Sequence, residues 1–432
     1  MNDFFQLQEP LTDGGIRSVN FFNGRLLAGR DLTREQEARR EAERRLGRAL
    51  GDGVASGLDV SVDIDTSTAQ APVLKVKAGL ALNRYGQTLN LAGDTRVALT
   101  RKLDAASDGG CVFAACLPIG GGTYVAGAGV YLLTLAPAQT SEGRAQSNGL
   151  DPGNVRCNND ATVEALQFRL LAIKPERYAD LDPASPRFRN RLAYRCFGIE
   201  ARAQALADPW RDDPAGYGLI DTLRAEGGAL GDYDVPLALL YWTAAGLQFI
   251  DAWAVRRRLL GPDALSAFAF SARARRLIEA EAMCAQFQMQ LGELLAASAT
   301  PASLHVRDAI QYLPPFGLVP LQNGALRGFG DAAFFDGIPR RPLPGSGQTT
   351  PFIDARMLGA LREQALTYAP TDVDAQEFVW VYRPWQTVQA MSQGRLVQPL
   401  LVFASGLVPD LVLARFDMAR FDFSNFAEPD AF

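Results

Sequence analysis

The apolar positions of this chain change period several times, and each change marks an element. Ala38, Ala42, Leu46, Ala49 and Leu50 recur at helical spacing as a narrow apolar stripe, which predicts an amphipathic helix running to about Leu50. Asp31 or Thr33 can cap it, and Thr33 with Gln36 fits the capping-box pattern. Ahead of the helix, Phe21-Phe22-Asn23-Gly24 reads as a turn, and residues 1–20 as an arm anchored by Phe4, Phe5 and Leu7. Gly51 and Gly53 end the helix. From Leu58 to Ile64 apolar and polar residues alternate, as in a half-buried strand. Val73–Leu82 and Gln87–Leu91 repeat that alternation, with Tyr85-Gly86 as the turn between them. Residues 1–100 therefore read as an arm, a helix and a small β module.

Residues 101–262 read as a second, β-rich module. Its strand candidates are Cys111–Leu117, Val130–Leu135, Thr162–Ile173 and Val235–Trp242. Leu247–Trp253 follows the turn at Ala245-Gly246 as the return strand of a hairpin. Residues 263–312 carry the longest helical signal, from Ala264 to about Ala297. There Leu277, Ala280, Cys284, Phe287, Leu291 and Leu294 follow a/d spacing, which suits a core helix packed on its own sheet or, over too few heptads to decide, a self-association seam. Residues 313–432 read as a mixed C-terminal module. Tyr312–Pro320 is a rigid, apolar, extended segment, residues 324–350 a glycine- and proline-rich loop, and Phe352–Tyr368 a helix with Ile353, Met357, Leu361 and Ala365 on one face. Phe378–Tyr382 and Pro399–Ala404 are two strands expected to pair, and an aromatic tail carries Phe421, Phe423, Phe426 and Phe432 among acids. The fold class expected is α+β: sandwich-like β-rich modules with an N-terminal helix, one long central helix and a mixed C-terminal domain.

Composition bounds the function classes. The chain has 432 residues and a formal net charge of -5, which supplies no global attraction to nucleic acid or anionic membrane. Only four of the 43 basic residues are lysine (Lys75, Lys77, Lys102 and Lys174), the others being arginine. Arginine suits interfaces, although a GC-rich coding bias gives the same preference. The predicted N-terminal helix is arginine-rich but interleaved with glutamate. Glu35 with Arg39 and Glu41 with Arg45 are favourable i,i+4 pairs, and the glutamates cancel the field that phosphates would need. No apolar run reaches the ~20 residues of a membrane helix. MNDFFQLQEPLTDGG lacks the regions of a Sec signal peptide, so the expected place of synthesis is a cytoplasm. Five scattered cysteines without C-x-x-C fit reduced thiols.

Motifs for chemistry are sparse. The one histidine, His305, makes any Ser/His/Asp triad depend on it, with Ser303 and Asp308 as its sequence neighbours. Cys111 and Cys116 lack a second zinc-spaced pair. Gly120–Gly129 lacks G-K-[ST] and precedes a strand, so it reads as a hairpin loop and not a phosphate cradle. The acids of Asp208–Pro214 suit a hard cation but read first as a surface loop. No catalytic, cofactor-binding or metal-binding residue is assigned.

One resemblance adds to this reading. Phe21-Phe-Asn-Gly-Arg-Leu-Leu followed by Asp31-Leu-Thr-Arg-Glu-Gln, then Gly53-Val-Ala-Ser-Gly57-Leu-Asp-Val, then Leu74-Lys-Val-Lys-Ala-Gly79-Leu-Ala81 through Tyr85-Gly86 to Leu89, resembles a family of bacterial proteins encoded with phage-tail-like contractile injection systems. Asp234–Tyr241, Phe249–Arg258 and Tyr312–Pro320 are similar to later blocks of that family. The chain departs from it at Ala55-Ser56, where the family more often carries Val-Cys. The resemblance implies a structural or accessory subunit of the particle, at the baseplate, spike shell or fibre attachment. Such a subunit would be oligomeric and contact other particle subunits through Phe21, Phe22, Arg39, Arg40, Arg44, Tyr312 and Phe426, with no nucleic acid, cofactor or membrane span. A glycan- or receptor-binding module is the second expectation, with Trp210 and Tyr217 as its loop candidates. An envelope-polymer hydrolase is the third.

Overall fold

The structure is a computed structural model that describes residues 11–69, 71–101, 124–125, 129–145, 159–199, 218–226, 230–259, 273–321, 328–341, 350, 352–355, 358–366, 368–385 and 400–405. The expectations for Phe4, Phe5 and Leu7, the Cys111–Leu117 strand, most of the Gly120–Gly129 stretch, the Asp208–Pro214 loop with Trp210 and Tyr217, the start of the long helix and the aromatic tail with Phe426 lie outside these residues. Helices and several antiparallel sheets make the chain mixed α+β.

Helix α1 (Gly29–Leu50) leads into two small sheets. One has the order β1-β4-β5 (Gly53–Gly57, Gly79–Leu82, Thr88–Leu91) and the other β2-β3-β6 (Val60–Val62, Val73–Val76, Thr95–Ala98). The apolar alternation from Val73 to Leu82 is thus split: the chain breaks at Lys77-Ala78 and sends its halves to different sheets. Leu58–Ile64 is likewise not one strand. Leu58 itself is fully buried at φ +60, a left-handed kink between β1 and β2. A short pair, β7 (Thr100–Arg101) and β8 (Tyr124–Val125), follows.

The central sheet has the order β10-β9-β11-β12 (Ala161–Ile173, Gly129–Glu142, Val235–Thr243, Gly246–Asp251), all antiparallel. Because side chains alternate across a strand, β9 serves two cores. Tyr131, Leu133 and Leu135 pack with β11 residues Leu240 and Trp242 against the small sheets. Val130 and Leu132 pack with Leu239 against helices on the other face. Those helices are α2 (Phe188–Phe197), α3 (Leu219–Ala225) and α4 (Arg273–Ala297). The β11–β12 hairpin turns at Ala245-Gly246 as the sequence predicts, with Gly246 at φ +105.

Helix α4 is a core helix. Ala282 and Met283 face the central core, while Phe287, Leu291 and Leu295 face the C-terminal one. Apolar burial on several sides marks an internal helix. The C-terminal sheet runs β14-β19-β18-β15 (Phe316–Pro320, Leu400–Ser405, Val379–Trp385, Arg340–Arg341), with β16 (Phe352–Asp354) parallel to β18. The expected β18–β19 pair is present. Two expectations are corrected here. Phe352–Tyr368 is not one helix: Phe352–Asp354 is a strand, and only Leu358–Ala365 is helical, so Ile353 and Leu361 reach the same core from different elements. The 324–350 stretch is not all loop, since Phe329, Phe334, Phe335 and Ile338 enter the core around a short helix at Asp331–Phe334. Tyr312–Pro320 is extended, as predicted, and supplies β13 (Tyr312–Leu313), which pairs with β17 (Thr371–Asp372), and β14.

Candidate interaction surface

The turn before α1 is held by its own polar groups. The Arg25 N–H donates to the Phe22 carbonyl (3.1 Å), with Gly24 at φ +91. The Arg25 guanidinium donates to the Asn20 carbonyl (2.7 Å) and to Asp31 (2.9 Å). Asp31 also accepts from the Ala28 N–H (3.0 Å). That bond first, and Arg25 with it, holds the Asp31 carboxyl below the ordinary carboxylate range. The helix therefore starts at Gly29 with Asp31 as its N-terminal anchor. Thr33 is no cap, since its hydroxyl donates to the Gly29 carbonyl within the helix. Phe21 and Phe22, at the tip of this pinned turn, are 54% and 63% exposed.

The arm runs back along α1. The Val19 N–H donates to Glu35 (3.0 Å), Arg45 donates to the Gly14 carbonyl, and Val19 and Ala38 are buried. Glu35 is thereby taken from Arg39, which pairs with Glu43 instead (3.2 Å). The Glu41–Arg45 pair forms as expected (3.3 Å), and Arg48 joins it (2.9 Å). On its other side α1 sits on the Tyr85-Gly86 turn. A Cβ on Gly47 would lie 2.7 Å from the Gly86 Cα, and one on Gly86 2.6 Å from the Arg48 nitrogen. The helix is thus seated glycine on glycine, and the expected stripe does not do the seating. Of the stripe only Ala38 is buried, while Leu46 and Leu50 are 68% and 63% exposed. Leu26, Leu27 and Leu32, on the turn and helix, are exposed as well.

Arg39 and Arg40 are exposed, and Arg44 is half-buried. Arg40 and Arg44 line a groove of about 590 Å³ with Leu46 and Leu50, between α1, β5 and the β9–β10 ribbon. That ribbon is a feature the alternation pattern did not reveal. Strands β9 and β10 pair from Val130–Ile173 out to Glu142–Ala161, but β11 accompanies β9 only between Gly129 and Leu135. Beyond Leu135 the ribbon is two-stranded, an arrangement of marginal stability alone. Tyr312 faces inward: its ring stacks on Tyr194 (centroids 5.1 Å apart), and its backbone is clasped by Asn190, which accepts from the Tyr312 N–H (2.9 Å) and donates to its carbonyl (3.1 Å).

Two distant stretches, Gly53–Leu58 and Phe249–Arg258, meet in space. The Val54 N–H donates to the Arg257 carbonyl (2.9 Å), and Arg256 donates to the Gly57 carbonyl (2.5 Å) and to Asp59 (2.9 Å). Gly53-Val-Ala-Ser-Gly57-Leu is thereby joined to Phe249–Arg258. The glycines are needed for closeness, because a Cβ on Gly53 would lie 2.6 Å from the Arg258 carbonyl oxygen. Asp234 and Asp251 are buried acids. Asp234 accepts from Thr134 (2.9 Å), Arg169 (2.7 Å) and the Gly231 N–H (2.8 Å). Asp251 accepts from Arg189, Gln286 and the Ala254 N–H, each at 3.0 Å. These are joints that hold elements together.

Among the described residues no group of three or more His, Cys, Asp or Glu side chains is placed to hold a metal ion. His305 is partly exposed with Nδ1 3.7 Å from Asp336, and the Ser303 hydroxyl donates to the Thr300 carbonyl (3.0 Å). No helix of the described residues is long and apolar enough to cross a membrane. Comparison of the chain with protein-family models and with curated proteins gives no match.

Proposed function

We propose that the chain is a structural or accessory subunit of a phage-tail-like contractile injection particle, acting by protein–protein contact at the baseplate, spike shell or fibre attachment. The observation that carries this reading is the N-terminal surface. A hydrogen-bonded turn presents Phe21 and Phe22, and α1 presents Leu32, Leu46 and Leu50 to solvent beside Arg39 and Arg40. Exposed leucines on a helix that docks through a glycine support a contact with a second surface. The two-stranded end of the β9–β10 ribbon is a second element suited to a neighbour. In this reading the subunit assembles with copies of itself and with other particle proteins, after synthesis in a bacterial cytoplasm.

A glycan- or receptor-binding role is the second reading, and one observation favours it. Tyr85 and Tyr233 stack with ring centroids 4.0 Å apart and both remain partly exposed, a flat aromatic platform of the kind sugars pack on. Deletion of the gene separates the two. Loss of particle integrity, or of a discrete density in purified particles, supports the structural role. Intact particles that no longer attach to cells support the binding role. A purified chain that stays monomeric and never co-purifies with particle proteins overturns both.

A further inference from the structure

We infer that the recess between the turn at Pro175–Arg177, the C-terminal half of α2 and the start of α3 binds a small organic oxyanion, a phosphate, sulfate or carboxylate carried on a ring. The recess holds about 300 Å³, the lower end of the range for small-molecule sites. Its described lining contains three arginines, Arg177, Arg191 and Arg195, and no acid. Its walls are apolar and aromatic: Leu181, Leu219 and the stacked rings of Tyr194 and Tyr312.

The charge arrangement singles out Arg191. Arg187, Arg191 and Arg195 stand four residues apart, the last two within α2, a spacing at which like charges repel. The flanking members each have a carboxylate. Arg187 pairs with Asp374 (2.6 Å), and Arg195 pairs bidentately with Asp180 (2.6 Å for both bonds). Arg177, across the recess, pairs with Glu226. The Arg191 guanidinium has no hydrogen bond or ion pair among the described residues, yet it is half-buried and lines the recess. Asp180 feels Arg191 only weakly, since Arg195 is the main cause of its lowered pKa. A planar fork without its own anion, beside two arginines and a tyrosine stack, fits an oxyanion held bidentately with its ring against the tyrosines. This inference is independent of the particle role.

Calorimetric titration of the full chain tests it with phenyl phosphate, inorganic phosphate and benzyl alcohol. Phenyl phosphate is expected to bind tightest, inorganic phosphate more weakly and benzyl alcohol not measurably, with affinity falling as salt is raised. Arg191→Gln is expected to weaken phenyl phosphate about tenfold or more, the loss of a charge-assisted contact, while Lys75→Gln on β3, an exposed surface position, leaves it unchanged. If Arg191→Gln fails to fold, Arg191→Lys keeps the charge, loses the fork and is expected to bind several-fold more weakly. Absence of phenyl phosphate binding, or equal binding by wild type and the Arg191 variant, overturns the inference.

Discussion

Gly47 of α1 and Gly86 of the β4–β5 turn meet backbone to backbone, with no room for a Cβ on either. This reverses an ordinary rule. In a helix interior Ala is more stable than Gly by roughly 1 kcal/mol, so Gly47→Ala would normally stabilise. Here it is expected to lower the melting temperature or to speed hydrogen exchange across α1 by lifting the helix off the turn. Gly292→Ala in α4 is the control, since nothing lies within 4 Å of a Cβ there, and it is expected to stabilise. If both substitutions raise the melting temperature, the helix is not seated as described.

The buried joint at Asp251 makes a second expectation. Asp251 is fully buried and holds the end of β12 to Arg189 of α2 and Gln286 of α4. Removing one member of a buried ion pair costs about 3–5 kcal/mol, because the other charge is left uncompensated. Arg189→Met, which leaves Asp251 without its cation, is expected to destabilise by that order in urea unfolding, Asp251→Asn by less because Arg189 keeps Glu293, and the double variant by clearly less than their sum. Additive losses would show that the two residues do not act as a pair.

Much of this architecture was legible because alternation and helical spacing follow from burial on one face. The β11–β12 hairpin, the β18–β19 pair and the core helix α4 all stood in the pattern. What stayed hidden depended on contacts between distant segments. Leu46 and Leu50 look like a packing stripe, and only the Gly47–Gly86 contact shows that the helix seats on a different line. Ile353 fits a helical face with Leu361, but pairing with β18 draws Phe352–Asp354 into a strand. The arm's claim on Glu35 displaced the Glu35–Arg39 pair, and neither residue signals that competition locally. Arg191 stands out only when the carboxylates beside Arg187 and Arg195 are located in space.

The Asp180–Arg195 pair sets a pH dependence. The Arg195 hydrogen bonds hold the Asp180 carboxyl down to about 2, against an ordinary value of 3.8. A lowered carboxylate pKa contributes stability that is complete above the unfolded value and lost as pH falls through the folded one. Asp180→Asn is therefore expected to flatten the fall in melting temperature between about pH 4 and pH 2 relative to wild type. The effect is small, because the Asp180 side chain is 60% exposed and solvent screens the pair. A variant whose acid limb matches wild type would mean that the pair contributes nothing.

Two thiols should be silent in the native protein. Burial pushes Cys196 up to about 12 and Cys284 up to about 11, so neither supplies thiolate near neutral pH. Iodoacetamide at about pH 8 is expected to leave both unlabelled in the folded chain and to label both in denaturant, read by peptide mass spectrometry. Rapid labelling of Cys196 under native conditions would show that the core between α2 and the central sheet opens readily.

The last expectation concerns the exposed face of α1. Among the described residues Arg39 pairs with Glu43 on the surface, and Arg40 lines the groove beside Leu46 and Leu50. Exposed pairs of this kind contribute about 0–1 kcal/mol, so the fold should tolerate their loss. Arg39→Glu with Arg40→Glu is expected to keep the wild-type melting temperature within a few degrees, as is Leu46→Ser with Leu50→Ser, since surface changes away from packing cost roughly 0.5 kcal/mol or less. If this face meets a neighbouring subunit, both double variants lose incorporation into particles, through like-charge repulsion in one case and lost apolar burial in the other. The measurement is the amount of each variant in purified particles, set against its stability in isolation. Unchanged incorporation of both would remove α1 from the interface and leave the Phe21-Phe22 turn and the β9–β10 ribbon as the surfaces to test. Loss with the leucine pair alone would mean that the contact is apolar and that the arginine–glutamate face is only its solvated rim.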